Sequence, residues 1–244
     1  MQPALPLLIP DWPAPANVRA LVSTRVGGVS EGPYSSLNLG DHVGDAAAAV
    51  AENRRRFSAA AGLLQAPTWL NQIHGCDVVM AGGSERASAD ACWTAQSGVP
   101  CAILTADCLP VLFAARDGSC VAAAHAGWRG LAAGVLEATV ASLPVPPDQL
   151  MAWLGPAIGP AAFQVGDEVR AAFVATEAED ATAFIADGER WRADLFALAR
   201  ARLRRCGVTA IYGGGVCTVE NAERFFSHRR DGVSGRFASL ICLA

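Results

Sequence analysis

The chain alternates short, continuous apolar runs with longer stretches in which apolar residues recur at helical spacing. Apolar runs of roughly four to eight residues that are bounded by glycine, proline or polar residues are typical of buried strands. The longer amphipathic or alanine-rich stretches predict helices. The predicted strands cover residues 17–24, 68–73, 77–79, 101–105, 110–114, 120–124, 151–154, 210–214 and 237–242. The predicted helices cover residues 45–61, with Asp45 as the N-cap, and residues 90–97, 131–143, 166–176 and 194–206.

These elements follow one another without a strict strand–helix–strand rhythm. The pattern predicts a mixed α/β protein of the α+β class, in which a mixed β-sheet core is flanked by helices. The composition shows no internal boundary, so we expect a single compact domain over residues 1–244, with a proline-rich extended arm at about residues 1–16. Residues 25–44 form a glycine- and serine-rich segment, and a loop of this length inside a compact domain is usually functional or disordered.

Composition and charge exclude several classes of function. The chain is 52% hydrophobic and carries a net charge of −4. Apolar stretches are too short to cross a membrane, and prolines interrupt the region where a signal peptide would lie. The arginines form no tract that could follow a phosphate backbone, which disfavours nucleic-acid binding. The sequence contains no lysine, so a Schiff-base mechanism is excluded.

The number and spacing of the cysteines indicate the redox state of the compartment in which the protein is expected. The chain has eight of them, and their spacing forms no disulfide framework. They are therefore expected to be free thiols in a reducing cytoplasm. No pattern in the sequence specifies an oligomeric state.

Three residues at strand ends form a candidate metal site. The chain has only four histidines, and two of them, His74 in NQIHG and His125 in AAHAG, follow apolar runs. Cys108 lies between the predicted strands 101–105 and 110–114. Strand ends that run into tight turns are where a rigid scaffold presents functional side chains. Two imidazoles and one thiolate suit Zn²⁺ or copper, and three protein ligands leave a fourth position open, as in catalytic sites.

Other interpretations of these three residues stay open. A histidine at a strand end is more often a hydrogen-bonded structural residue, and a buried cysteine more often packs in the core. The spacing between the three residues matches no standard zinc motif. Cys108 and His125 are also a candidate nucleophile and base of a cysteine hydrolase, which would act without a metal. A sensor that binds nucleotides or metals without turnover is a further alternative.

Six segments of the chain, in order, resemble the conserved blocks of one known family. The family is that of the YfiH-type proteins, also called laccase-domain or multicopper polyphenol oxidoreductase proteins. The resemblance extends from about residue 20 to the end of the chain. The segments are TRVGGVSEGPYSSLNLGDHVGD, WLNQIHG, LTADCLPVLF, AAHAGWRGLAAGV, GPAIGP and FFSHRRDGVSGR.

The resemblance implies a zinc-dependent purine nucleoside phosphorylase. In this family one Zn²⁺ is bound by the residues that correspond to His74, Cys108 and His125. The implied partners are small molecules, because adenosine, inosine or methylthioadenosine reacts with phosphate to give the base and a pentose 1-phosphate. An adenosine deaminase activity is also implied, with a water activated at the metal as the nucleophile at C6 of adenine.

The laccase name can be tested by counting histidines. A blue-copper centre takes two histidines and a cysteine, and a laccase needs a further copper cluster with many more histidines. Four histidines in the whole chain cannot supply both. Copper in the three-ligand site is therefore expected to give at most a side polyphenol oxidase activity.

Further side chains are candidates for catalysis and substrate binding. Asp107, beside Cys108, is a candidate proton shuttle or a partner that orients a histidine, with a turn cap as the alternative. Without lysine, phosphate must be bound by arginine or by backbone amides, and Arg129 lies where GWRG opens a helix. The other candidates are Arg25, Arg229 and Arg230 for phosphate, Asn38 and Gln72 for polar groups of the nucleoside, and Phe225 and Phe226 for stacking on the purine, with core packing as the plainer role of both phenylalanines.

Overall fold

Two β-sheets packed face to face form the centre of the protein in the computed structural model, which describes residues 5–83 and 86–244. The smaller of the two sheets has antiparallel strands throughout. Its strands are β1 (Leu7–Leu8), β2 (Val18–Ser23), β5 (Cys101–Thr105) and β13 (Phe237–Leu243), in the order β1-β2-β13-β5.

The larger sheet has six strands and is mixed. Its strands are β3 (Val78–Met80), β4 (Ala91–Thr94), β6 (Leu109–Ala115), β7 (Val121–Ala126), β8 (Leu150–Leu154) and β12 (Ala210–Gly213), in the order β12-β8-β6-β7-β4-β3. The two outermost pairs are parallel and the inner pairs are antiparallel. A small third sheet is formed by β9 (Gln164–Val165), β10 (Phe184–Asp187) and β11 (Arg190–Ala193), in the order β10-β11-β9.

Helices cover the outer faces of the two central sheets. They are α1 (Ala47–Ala60), α2 (Trp128–Ala133), α3 (Val135–Ser142), α4 (Asp167–Val174), α5 (Leu195–Arg205) and the short α6 (His228–Asp231), with 3-10 turns at Gly32–Tyr34, Pro147–Gln149 and Ala178–Ala183. α1 covers the four-stranded sheet, where Phe57 packs in one cluster with Leu104 and Leu240. α2 to α5 cover the six-stranded sheet. The result is four layers, with the two sheets in the middle.

The central strands of the middle layers, among them β5 and β6, are buried on both faces. In β5, Ile103 faces the space between the sheets, whereas Leu104 faces outward under α1. In β6, Leu112 faces the space between the sheets and Phe113 faces the helices on the other side. A strand that is covered on both faces reads as a continuous apolar run, which explains the runs CAILT and PVLFA.

The predicted fold class is confirmed, since the protein is a single domain of mixed sheets flanked by helices. The sequence did not show that the strands at 101–105 and 110–114, which are neighbours along the chain, belong to different sheets. The predicted N-terminal arm contributes β1, which pairs with β2. The first four residues of that arm lie outside the described residues, and the limits 1–244 and 1–16 stay predictions.

Two helix predictions were wrong in whole or in part. Residues 90–97 do not form a helix, because β4 occupies the segment and pairs on one side with β7 and on the other with β3. Pairing on both sides satisfies the backbone of this buried segment and overrides its local preference. The predicted helix 131–143 is two helices. Gly134 separates them with a φ of 102°, a conformation that glycine adopts without a steric penalty.

Two further local predictions need correction. Asp45 is not the N-cap of α1, because the helix begins at Ala47 with Ala46 as the N-cap; Oδ1 of Asp45 accepts from the N–H of Ala46, and Oδ2 accepts from Ser30 Oγ and Asn38 Nδ2. Residues 68–73 form only isolated bridges, at Thr68 and Asn71, rather than a strand.

Two findings concern the predictions about the redox compartment and the membrane. All eight cysteines are free thiols. Within residues 5–83 and 86–244, no helix has both the length and the apolar character that crossing a membrane would require.

Candidate metal centre and its two chambers

The structure brings His74, Cys108 and His125 together. One ligand atom from each side chain lies within 4.8 Å of the ligand atoms of the other two, and His74 Nε2 lies 4.0 Å from Cys108 Sγ. His125 is buried, Cys108 is half-buried and His74 is exposed. The three side chains therefore form a cluster that is anchored in the interior and open to solvent on one side.

The sandwich of sheets explains why these residues meet. The turn that carries Cys108 runs from β5 in one sheet to β6 in the other, so it lies at the end of the sandwich. His125 is the next-to-last residue of β7, on the same face as Val121 and Ala123, which line the space between the sheets. Because β6 and β7 are antiparallel, the start of β6 and the end of β7 lie at the same edge.

The loop that carries His74 is held by one buried carboxylate. Asp90 accepts hydrogen bonds from the backbone N–H groups of Ile73, His74 and Gly75, and its Oδ1 lies 2.8 Å from His125 Nδ1. His74 has a φ of 61°, a conformation that costs energy for a residue other than glycine. One side chain thus fixes both the strained loop of His74 and the ring of His125.

Sequence reasoning missed Asp90. It directly precedes the buried strand β4, and the pattern DACWTAQS was interpreted as a helix in which an aspartate would be an ordinary N-cap. A carboxylate at the edge of an apolar strand was the available signal. The contacts of Asp90 to residues 73–75 and 125 are non-local and appear only in the structure.

The half-buried Cys108 and the buried His125 form a charge pair. Burial alone would raise the pKa of the Cys108 thiol, but the charge of His125 and its hydrogen bond outweigh burial and lower this pKa to about 6. Burial alone would lower the pKa of His125, but Cys108 and Asp90 outweigh it and raise this pKa to about 9. These shifts favour a thiolate beside an imidazolium when no metal is bound. Thiolate is the form of cysteine that binds metals and attacks electrophiles.

Glycines in the segment GWRG allow the chain to pass close to this cluster. A Cβ at Gly127 would lie 3.0 Å from both Cys108 Sγ and His74 Cδ2. A Cβ at Gly130 would lie 2.7 Å from the backbone oxygen of Gly75. Both positions leave no room for a side chain, so the start of α2 forms a close-fitting wall of the site.

Two chambers open on the cluster. The apolar chamber has a volume of about 180 Å³ and the basic chamber a volume of about 380 Å³. Both chambers are lined by His74, Ala106, Cys108, Arg129 and His228. The remaining residues of the apolar chamber are Asp107, Trp128, Ile158, Phe163, Leu195 and Arg229. The remaining residues of the basic chamber are His42, Gln72, Leu104, Thr105, His125 and Arg236.

Three of the predicted substrate residues lie on these chambers. Arg129 lines both, Gln72 lines the basic chamber and Arg229 lines the apolar chamber. The amide of Gln72 exchanges two hydrogen bonds with the backbone of Leu104, which fixes its orientation. Arg229 donates through Nη1 to the backbone oxygens of residues 162 and 164.

The other predicted substrate residues lie outside the two chambers. Asn38 is fully buried, and its side chain bonds Gly40, Asp45 and the backbone N–H of Arg236. Arg25 donates to backbone oxygens of residues 35 and 222. Arg230 donates to backbone oxygens of residues 218, 219 and 225. Phe225 and Phe226 are fully buried and pack in the cluster between the two sheets, the plainer of the two roles weighed for them.

Asp107 has partners other than a histidine. Its carboxylate accepts hydrogen bonds from Thr218 Oγ1 and from the backbone N–H of Arg229 in the first turn of α6. Its backbone has a φ of 91° and its carbonyl accepts from Ile158 N–H. Asp107 thus ties the turn of Cys108 to the segments that line the apolar chamber. Asp107 was a candidate for orienting a histidine, but the residue that orients His125 is Asp90.

The donor set of the cluster fits a transition metal. Two imidazoles and a thiolate are ligands typical of zinc and of copper, and one of the imidazoles is bonded to a carboxylate behind it, as metal-bound histidines usually are. The open side of the cluster, between the two chambers, leaves a position that a substrate can reach. The residues present therefore suit a catalytic metal site better than a closed structural site.

Known proteins resemble this chain over almost its whole length. A purine nucleoside phosphorylase of Pseudomonas aeruginosa is 60% identical over 238 residues, which cover 97% of this chain and 98% of that protein. Purine nucleoside phosphorylase YfiH of Escherichia coli is 54% identical over 239 residues, which cover 97% and 98% of the two chains. These names describe the relatives themselves.

Solved structures agree with this relationship. A Neisseria meningitidis protein superposes with a TM-score of 0.93 at 53% identity and covers 97% of this chain and 98% of its own. YlmD from Geobacillus stearothermophilus superposes with a TM-score of 0.89 at 33% identity, covering 93% and 92% of the two chains. The description "multi-copper polyphenol oxidoreductase laccase" names the family that matches residues 19–244. The resemblance seen in the six sequence blocks is confirmed, and the chain belongs to the YfiH-type family of multi-copper polyphenol oxidoreductase laccases.

Proposed function

We propose that the protein is a zinc-dependent purine nucleoside phosphorylase that acts on adenosine, inosine and methylthioadenosine. The observation that carries the proposal is the position of the His74, Cys108 and His125 cluster between an apolar and a basic chamber. Phosphorolysis needs an apolar surface for a purine and a positive surface for phosphate, side by side. The names of the relatives give the same reaction class.

The reaction exchanges one bond for another. An oxygen of hydrogen phosphate forms a bond to C1′ of the pentose while the bond from C1′ to N9 of the purine breaks. The electron pair of the broken bond leaves with the base, and the proton of hydrogen phosphate ends on the purine. The products are the free base and the pentose 1-phosphate, so atoms and charge balance.

The residues of the apolar chamber suit the purine. Phe163, Ile158 and Leu195 are buried apolar side chains, and Trp128 is half-buried beside them. Flat apolar surfaces bind the faces of nucleobases in a manner that tolerates different bases. Tolerance of this kind fits a substrate range that includes both adenosine and inosine.

The metal would be held by His74, Cys108 and His125. A Zn²⁺ bound there supplies a Lewis acid that lowers the pKa of a water ligand, which would support the adenosine deaminase activity that we include in the proposal. Copper is the alternative metal for the same ligands and would account for a side polyphenol oxidase activity. Asp90 holds the ring of His125 in place for either metal.

The eight free thiols support a reducing compartment, and we place the protein in the cytoplasm. The net charge of −4 argues against nucleic acid as a partner.

The test is purification without added metal, followed by measurement of zinc and copper content and an assay with adenosine and phosphate. We expect about one zinc per chain, in line with one three-ligand site. We also expect adenine as a product and loss of both metal and activity in His74→Ala and Cys108→Ala. Turnover that survives both substitutions would contradict the proposal.

One observation favours a second candidate function. Cys108, His125 and Asp90 are arranged as a nucleophile, the imidazole that takes its proton and the carboxylate that orients this imidazole. A cysteine hydrolase built on these residues would keep its activity without metal and lose it on alkylation of the thiol. Activity that a strong chelator removes and zinc restores would exclude this alternative.

A further inference from the structure

Arg236 has a special position in the basic chamber. It directly precedes β13, whose first residue, Phe237, pairs with Thr105 at the end of β5. This places Arg236 at the edge of the sandwich where the turn of Cys108 begins. Its Nη1 donates to the backbone oxygens of Ser234 and Gly235 and to the hydroxyl of Ser234.

The anchoring leaves part of the guanidinium available. The three recorded bonds all involve Nη1, so Nε and Nη2 remain as donors on a side chain that lines the chamber. A guanidinium held by one nitrogen loses little conformational freedom when it binds an anion through the other two. Arg236 is thus prepared for binding before any ligand arrives.

Burial lowers the pKa of Arg236, and the charges of Cys108 and Asp107 offset this only in part. The chamber is lined by His42, Arg129, His228 and Arg236, and none of its other described lining residues is a carboxylate. Burial, and after it the charge of Arg236, lowers the pKa of His42. The guanidinium groups of Arg129 and Arg236 give the chamber positive charge, which favours an anion.

Thr105 supplies an independent observation. Its side chain is 1% exposed, it lines the same chamber, and its hydroxyl is a buried group with no hydrogen-bond partner in the protein. An unpaired buried hydroxyl costs on the order of 1–3 kcal/mol. A ligand oxygen in the chamber would satisfy it.

We propose that the basic chamber binds the phosphate co-substrate, with Nε and Nη2 of Arg236 as the principal donors and the Thr105 hydroxyl as an additional one. The inference rests on the proposed function for the identity of the anion as orthophosphate. It assigns the phosphate to Arg236, which lines the basic chamber, rather than to Arg229, which lines the apolar chamber. With phosphate in the basic chamber and the purine in the apolar chamber, the pentose C1′ lies between them, beside the metal cluster.

The test measures phosphate binding and turnover separately. Inorganic phosphate is titrated calorimetrically into the metal-loaded wild type, Arg236→Gln and Thr105→Val, without nucleoside. In parallel, KM for phosphate and KM for adenosine are measured in the same proteins. Arg116→Gln is the matched control, because Arg116 lies at the opposite end of β6 and its guanidinium donates to the backbone oxygen of Asp148, far from both chambers.

We expect Arg236→Gln to raise both the Kd and the KM for phosphate by about 10- to 100-fold, the effect of losing hydrogen bonds between charged groups. Thr105→Val should raise them by about 3- to 10-fold, as expected for one hydroxyl. The KM for adenosine should change by less than about twofold in both variants, and Arg116→Gln should match the wild type. Thr105→Val also guards against a folding defect of Arg236→Gln, because valine keeps the shape of threonine.

Two results would overturn the inference. One is a wild-type protein that does not bind phosphate, and the other is phosphate binding that neither substitution changes. Phosphate binding that depends on Arg236 in a protein with no nucleoside turnover would support the anion site and refute the proposed function. Phosphorolysis with an unchanged KM for phosphate in both variants would support the proposed function and refute the anion site at Arg236.

Discussion

The apolar and the basic chambers share one wall and differ in the rest. The shared wall is His74, Ala106, Cys108, Arg129 and His228. Beyond it, the apolar chamber is built by segments next to the helices that cover the six-stranded sheet. The basic chamber is built by the end of β5 and the residue before β13 in the four-stranded sheet, together with His125 of the six-stranded sheet and the loop residues His42 and Gln72. Under the proposed function, the purine and the phosphate would each occupy one chamber, with the reacting bond beside the shared wall.

The largest effect is expected where both chambers depend on one residue. Asp90→Asn removes the negative charge behind His125 and places an amide nitrogen where an oxygen accepts from the loop of His74. Metal affinity and kcat should fall by about 10- to 100-fold, the range found when partners of metal-bound histidines are replaced. The metal Kd is measured by competition with a chelator.

The control for this substitution is Asp117→Asn, at an exposed turn where the carboxylate bonds only the N–H of Ser119. It should leave metal affinity unchanged. If Asp90→Asn binds metal as tightly as the wild type, Asp90 does not position the ligands and the shared wall is held by packing alone.

A smaller effect is expected from crowding the shared wall. In Gly127→Ala the new methyl group would lie 3.0 Å from Cys108 Sγ and from His74 Cδ2, which forces a shift of one ligand. Overpacking of this kind costs about 1–3 kcal/mol, so kcat/KM should fall by about tenfold for adenosine and for phosphate alike.

Gly83→Ala, where a Cβ meets open space, is the comparison. Steady-state kinetics with each substrate varied in turn would show whether the loss is equal for both. A loss confined to one substrate would mean that the two chambers do not share this wall in function.

The smallest effect is expected from a substitution that changes only the apolar chamber. Phe163→Leu replaces a ring of the apolar chamber with an aliphatic side chain of similar character. Stacking on a base contributes about 1–3 kcal/mol, and leucine keeps part of the contact, so KM for adenosine should rise by about three- to tenfold. KM for phosphate should stay within about twofold, since the aromatic ring contributes no charge. This pattern is the inverse of that expected for Arg236→Gln, and a rise in the phosphate KM would contradict the division of the site.

The sequence predicted the cluster better than it predicted its surroundings. Cys108 and His125 lie at the ends of apolar runs that are strands in the structure, and such ends are recognisable from one sequence, whereas the run before His74 forms only isolated bridges. Asp90 and Arg236 carry no such local signal, because an aspartate before an apolar run resembles a helix cap and an arginine near a strand resembles a surface residue. Their roles depend on contacts across 35 and more residues, as between Asp90 and His125.

Local sequence patterns also could not predict that the strands divide into two sheets. β5 and β6 are both continuous apolar runs, and strands buried on both faces look alike whichever sheet they join. The helix predicted at 90–97 failed for a related reason, since a short apolar run does not distinguish a strand from a helix.

Because the turn from β5 to β6 connects the two sheets, the cluster lies where a bound ion can stabilise the whole domain. Cys108 belongs to the crossing between the two sheets, His125 to the six-stranded sheet and His74 to a loop that is tied to neither by a ladder of strand pairing. An ion bound by all three residues would cross-link these three parts of the chain at the end of the sandwich. Its binding free energy would then add to the resistance of the whole domain to unfolding. Amide hydrogens of β5, β6 and β7 should consequently exchange more slowly when the metal is bound, far beyond the residues that touch it.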